Sequence, residues 1–133
     1  RYLLEHLATG QPALTRAEKI QKAVSKVGFD WADSGAVLAK IKEEVAEIEQ
    51  AIAESPETIQ EELGDLLFCV VNLARHLGLD CEYSLKLANL KFTRRFNFIE
   101  DKLYEQNKDF SQTDLAEMEH FWQLAKQAKL TKE

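Results

Sequence analysis

The sequence predicts an all-α helical bundle, on three observations. Apolar residues recur near the 3.6-residue helical period in successive segments. No strand-like alternation of any length is present. Only five glycines and two prolines occur in 133 residues, all near element ends except Gly64. That scarcity fits long helices better than turn-rich sheets.

Each element has its own signals. Residues 1–13 read as a connector, because Thr9-Gly10-Gln11-Pro12 breaks any helix begun by Tyr2-Leu3-Leu4. Thr15 is the expected cap of a first helix over 16–27, closed by Gly28. Phe29-Asp30-Trp31 reads as a bend, with both aromatic rings packed. Asp33 or Ser34 opens a second helix reaching Glu54, with core stripe Val37, Ile41, Val45, Ile48 and Ile52. Ser55-Pro56 is a start signal, Ser as N-cap and Pro at the first helical position. The third helix runs from Pro56 to Leu77 and stops at Gly78. Its expected stripe is Ile59, Leu63, Leu66, Leu67, Val70, Leu73 and Leu77. Asp80 caps a long fourth helix to about Gln106, with Leu85, Phe92, Phe96, Ile99 and Leu103 on its apolar face. Ser111 or Thr113 starts a fifth, with Leu115, Met118, Trp122 and Ala125 on one side. The domain itself is read as 14–133.

Composition narrows the function classes. Apolar residues make up 45% and charged residues 30%, the balance of a globular chain. A net charge of −6 argues against non-specific nucleic-acid binding. The longest apolar run, Leu66 to Val71, is far too short to span a membrane. Cys69 and Cys81 form no metal-type pair. Cys69 lies in an apolar run as a reduced core thiol, which points to a cytoplasmic protein.

The most telling feature is a pair of acidic clusters, Glu43-Glu44-Val45-Ala46-Glu47 and Glu61-Glu62-Leu63-Gly64-Asp65, on either side of the Pro56 turn. In a helical hairpin, residues equidistant from the turn face each other. Glu47 then meets Glu62, and Glu44 meets Asp65, about 10–15 Å from the turn at 1.5 Å per residue. Few lysines lie inside the clusters to pair these acids. Converging carboxylates repel unless a cation neutralises them, and their hard oxygens suit magnesium or manganese more than zinc. A solvated acidic face is the competing reading, since Glu is common on helix surfaces. The mid-helix Gly64 costs about 1 kcal/mol relative to Ala. It therefore suggests close packing or a ligand's approach. Glu43 and Glu61 each precede an expected ligand, placed to orient a water or take its proton.

Lys91-Phe92-Thr93-Arg94-Arg95-Phe96 places Lys91 and Arg95 on one face, while Phe92 and Phe96 are expected to enter the core. Arg offers a planar fork for phosphate oxygens, and Lys a point charge. Beside a metal site this suggests a polyphosphate; judged alone, it reads first as an ordinary salt-bridged surface. Trp122 is expected in a core or interface, with base stacking the lesser alternative. Asn72 is either a ligand contact or a satisfied core amide. His76 suits a helix C-terminus by charge.

Taken together, these blocks resemble the MazG family of nucleoside triphosphate pyrophosphohydrolases. The resemblance rests on Val27-Gly28-Phe29-Asp30-Trp31, Glu43-Glu44-x-x-Glu47 and Glu61-Glu62-Leu63-Gly64-Asp65-Leu66-Leu67-Phe68. Val71 to Gly78, Asn89-x-Lys91-Phe92-x-x-Arg95-Phe96, and Met118-Glu119 with Trp122 extend it. It covers roughly residues 12–128, and is greatest to the C-terminal half of tandem-domain bacterial members. Residues 1–13 then resemble their interdomain connector. The resemblance implies an all-α, homodimeric, magnesium-dependent enzyme, cleaving between the α and β phosphates to give a monophosphate and pyrophosphate. It implies metal ligands at Glu44, Glu47, Glu62 and Asp65. It further implies triphosphate contacts at Lys91 and Arg95, base or sugar contact at Trp122, and a substrate contact at Lys40. Thr58 stands where some relatives carry a lysine, which changes one phosphate contact. The alternatives are a narrower pyrophosphohydrolase acting on dUTP or phosphoribosyl-ATP, and a non-catalytic dimer that holds a nucleotide or cation.

Overall fold

The computed structural model describes residues 1–128, and these are helical with no strand among them. The domain reading extends to residue 133, so its last five positions lie outside the described residues. The helices are α1 (Ala13–Ser25), α2 (Ser34–Glu54), α3 (Ile59–His76), α4 (Cys81–Glu105) and α5 (Leu115–Gln127). Short 3-10 turns occur at Leu3–His6, Pro56–Thr58 and Phe110–Gln112. No described helix is long and apolar enough to cross a membrane. By compactness the chain divides into two units, Arg1–Ser84 and Leu85–Glu133.

Caps fix most boundaries. The Asp33 carboxylate accepts from the Ala36 amide at 2.9 Å and starts α2. Asp80 accepts from the Glu82 and Tyr83 amides and starts α4. Gly28, at φ 91°, takes the left-handed turn that closes α1, and the Phe29 amide reaches back to the Val24 carbonyl.

Three starts differ from the sequence expectation. α1 begins at Ala13, because Pro12 fixes its own φ near the helical range and needs no amide partner; Thr15 lies inside the helix. Ser55 makes no side-chain capping bond. The residues after it tighten into a 3-10 turn before α3 proper begins at Ile59. Asp109 caps the turn at Phe110–Gln112 in a capping box, and Asp114 caps α5, so neither Ser111 nor Thr113 is its start.

In the first unit α2 lies against α3, and α1 against α3. Val37, Ala51, Cys69 and Val71 are buried, together with Gln21, Glu44 and Asn72. Gln21 reaches from α1 to donate to the Phe68 carbonyl at 2.9 Å. The expected apolar stripes are only partly interior. Val45, Ile52, Leu63, Leu67, Val70 and Leu77 are exposed. The helical period identifies an apolar face but not what covers it, and this chain alone leaves that face open. The side of α3 that turns inward carries Cys69 and Asn72 instead.

The second unit has its own core of Ile99, Leu103 and Phe121, flanked by Phe96, Met118, Trp122 and Leu124. Phe92 is 59% exposed rather than interior; its ring meets that of Trp122 in a tilted contact, with centroids 5.1 Å apart. Leu85 and Leu115 are also exposed. Phe121 takes the interior place expected of Leu115, since Phe121 and Ala125 are one helical turn apart.

Gly64 meets no close packing. A Cβ built there has no neighbour within 4 Å, and the residue borders an apolar groove with Ala13, Leu14, Ala17, Leu67, Phe68 and Val71. Gly64→Ala is therefore expected to stabilise the protein by about 1 kcal/mol through helix propensity. Urea denaturation measures this. A loss of stability would mean that something outside the single chain closes on that groove.

Candidate functional site

The hairpin of α2 and α3 brings three carboxylates together. One oxygen from each of Glu44, Glu47 and Glu62 falls within a 4.8 Å set. Glu44 is 4% exposed, deep for a carboxylate. Glu44 Oε2 and Glu62 Oε2 are buried without a hydrogen-bond partner. Such orphaned acceptors carry a desolvation cost that a cation relieves. Glu62 shows the strain electrostatically. Its carboxyl is pushed above the usual range, first by hydrogen bonding to Glu47, then by burial and by the charges of Glu47, Glu44 and Asp65. Like charges gathered this closely make ionisation of Glu62 costly.

Asp65 is exposed and lies outside the set of three, although its charge acts on Glu62. The mirrored register thus brings Glu47 to Glu62 and Glu44 beside them, while Asp65 is less closely engaged. The donor set fits a hard divalent cation: three carboxylates, two orphaned oxygens, and no soft donor within the set. Cys69 is near enough that burial, then the Glu44 charge, pushes its thiol pKa up.

The acids do have a local remedy. Lys40 Nζ lies 3.1 Å from Glu44 Oε1 and 3.3 Å from Glu43 Oε1. The signal was in the spacing, since residues three and four apart meet on one helical face. Glu43 is largely exposed apart from this bond, and Glu61 is exposed. The Thr58 hydroxyl donates to the Ser55 carbonyl at 3.0 Å, serving the turn.

Lys91, Arg95 and Trp122 belong to the second unit. There the Arg95 guanidinium lies over the Trp122 ring, 5.4 Å from its centroid. Trp122 is half-buried against the core, so the sequence expectation of a core residue holds.

A separate ionic cluster ties the loop after α1 to the end of α3. Asp30 Oδ1 accepts from an Arg75 terminal nitrogen at 2.6 Å and lies 2.9 Å from His76 Nε2. Arg75 also donates to the buried Asn72 Oδ1, making Asn72 a satisfied core amide. Phe29 and Trp31, expected to pack, are exposed on either side of Asp30. The Arg75 hydrogen bond holds the Asp30 carboxyl down at about 2. Its folded pKa is depressed, so the stabilisation is present above the unfolded value near 4 and lost as pH falls through 2. Asp30→Asn is expected to cost on the order of 1 kcal/mol at pH 7 once solvent screening is allowed for. The difference from the parent should fade in denaturation curves between pH 4 and pH 2.

These features define a helical-hairpin protein with a carboxylate cluster suited to a divalent cation. Residues 33–98 match the MazG nucleotide pyrophosphohydrolase domain, and the chain belongs to the MazG family. It is 42% identical over 131 residues to a nucleoside triphosphate pyrophosphohydrolase of Escherichia coli strain K12, covering 96% of this chain and 49% of that protein. It is 39% identical over 115 residues to the nucleoside triphosphate pyrophosphohydrolase/pyrophosphatase MazG of Thermotoga maritima, covering 86% of this chain and 44% of that protein. A third relative, the uncharacterised protein YabN of Bacillus subtilis, is 36% identical over 129 residues, covering 96% of this chain and 26% of that protein. The chain therefore spans about half the length of the first two relatives.

Proposed function

We propose that the protein hydrolyses nucleoside triphosphates, ATP among them, between the α and β phosphates, yielding a nucleoside monophosphate and pyrophosphate. The observation that carries this reading is the Glu44–Glu47–Glu62 group with its buried, unpartnered Glu44 and Glu62 oxygens. The relatives named as nucleoside triphosphate pyrophosphohydrolases support it.

In this reading Glu44, Glu47 and Glu62 hold magnesium, with manganese as a substitute, and Asp65 completes the set. The ion supplies neutralisation of phosphate charge and activation of water for attack at the α-phosphorus. Glu43 or Glu61 takes the proton of the attacking water. Lys91 and Arg95 offset the charge of the departing pyrophosphate. Trp122 contacts base or sugar, Lys40 reaches a phosphate, and Thr58 leaves one phosphate contact weaker than a lysine would make it. A homodimer is part of the proposal. The exposed Val45 and Ile52 on α2, with Leu63 and Leu67 on α3, offer the apolar area such an interface requires.

Incubating the purified protein with magnesium and a panel of triphosphates tests this. Monophosphate and pyrophosphate in equal amounts are expected. Release of diphosphate and phosphate, or nucleotide binding without any release, contradicts the proposal. Rates on dUTP and phosphoribosyl-ATP against the common triphosphates distinguish a narrower substrate range.

A further inference from the structure

Lys40 and Glu44 form an ion pair of unequal partners. The Glu44 side chain is 5% exposed and that of Lys40 is 31% exposed. The ammonium engages Glu44 Oε1, while Glu44 Oε2 has no partner. The same ammonium reaches Glu43 Oε1, so one lysine bridges two successive acids. The most deeply buried carboxylate of the cluster is thus compensated on one oxygen by the protein itself.

Two roles fit an ammonium in this place, and they differ in sign. A clamp that merely aims Glu44 would strengthen divalent-ion binding. A resident counter-ion would weaken it, because its charge opposes a second cation at the same carboxylate. The geometry favours the second. α2 already fixes the Glu44 backbone, and burial restricts its side chain, so little orienting remains for a partly exposed lysine to supply. The Coulomb opposition between two cations on one carboxylate stays large at this depth.

We propose that Lys40 is the resident counter-ion of the acidic cluster. Its ammonium compensates Glu44 while no divalent ion is bound, holds the ion affinity of the free protein down, and turns to a phosphate when nucleotide arrives. This inference rests on reading the cluster as a metal site. It makes nucleotide and ion bind with positive coupling, because phosphate gives the displaced ammonium a new partner. Lys40 then acts on the ion through Glu44 while nucleotide is absent, and on a phosphate once nucleotide is bound.

The test is Mn²⁺ titration of the nucleotide-free protein, reading free Mn²⁺ by electron paramagnetic resonance. Lys40→Met is expected to tighten Mn²⁺ binding about tenfold, the order set by removing one charge at carboxylate distance. Lys40→Arg, which keeps the charge, should stay within about twofold of the parent on the same argument. Lys40→Gln serves as a second uncharged variant should Lys40→Met fail to fold. A non-hydrolysable triphosphate should raise Mn²⁺ affinity markedly in the parent and much less in the uncharged variants. Unchanged or weaker Mn²⁺ binding in the uncharged variants overturns the inference while leaving the metal site standing. Equal coupling to nucleotide in parent and variants also overturns it. Absence of Mn²⁺ binding in every form removes the metal reading itself, and this inference with it.

Discussion

Glu44→Gln is expected to lower triphosphate turnover on the order of 10³-fold or more, beyond the 10–100-fold lost when a residue that only supports a metal ligand is removed. Glu44 is the most buried acid of the cluster, and one of its oxygens is unpaired. Glutamine keeps the shape but removes the charge that draws a hard cation. The fold should survive. Lys40 keeps Glu43 and partial access to water, and losing one carboxylate relieves repulsion on Glu47 and Glu62. Without divalent ion, the variant should therefore melt no lower than the parent. With magnesium, the parent should gain stability and the variant should not. Paired kinetics and melting curves check both halves, and a variant that retains full turnover would displace Glu44 from the site.

The second large effect is the response of stability to divalent ion and pH. Glu62 titrates above the usual carboxylate range in the folded protein, first because of its hydrogen bond to Glu47. A raised acid pKa means that the folded state binds more protons than the unfolded state through this window. Stability in chelator should consequently fall as pH rises from the ordinary Glu value through the raised one. An ion that neutralises the cluster cancels this loss. At a hundred times its dissociation constant it contributes about 2.7 kcal/mol. For a chain of this size that is roughly 10 °C of melting temperature. The magnesium-induced shift should accordingly be small near the ordinary glutamate pKa and grow as pH rises through the raised Glu62 value. Glu62→Gln should flatten it. A shift independent of pH would contradict the raised pKa of Glu62.

Much of this arrangement was legible in the chain. Asp33 and Asp80 announce α2 and α4 because a short acceptor before an apolar-periodic run has one low-energy use. The facing of Glu47 and Glu62 follows from their equal distance from the Glu54–Ser55 junction that ends α2. Other features depend on contacts that no local pattern encodes. The apolar residues Leu63, Leu67 and Val70 mark a face of α3, yet that face is open in the single chain, while Cys69 and Asn72 turn inward. Asp65 shares the register but not the close set, since register fixes height along a helix and not the reach of each side chain. The Lys40 pairing was visible as an i,i+4 spacing and is masked by counting only residues inside the acidic runs. The link from Asp30 to Arg75 and His76 joins residues about 45 positions apart, and nothing local signals it.

Everything functional turns on whether one cation binds Glu44, Glu47 and Glu62 together. Anomalous diffraction from a crystal soaked in Mn²⁺ measures this directly. The expected result is a manganese peak with oxygens of all three residues at roughly 2.1–2.2 Å, the range of small hard cations. A peak elsewhere, or none touching these carboxylates under conditions in which Mn²⁺ supports turnover, would contradict it.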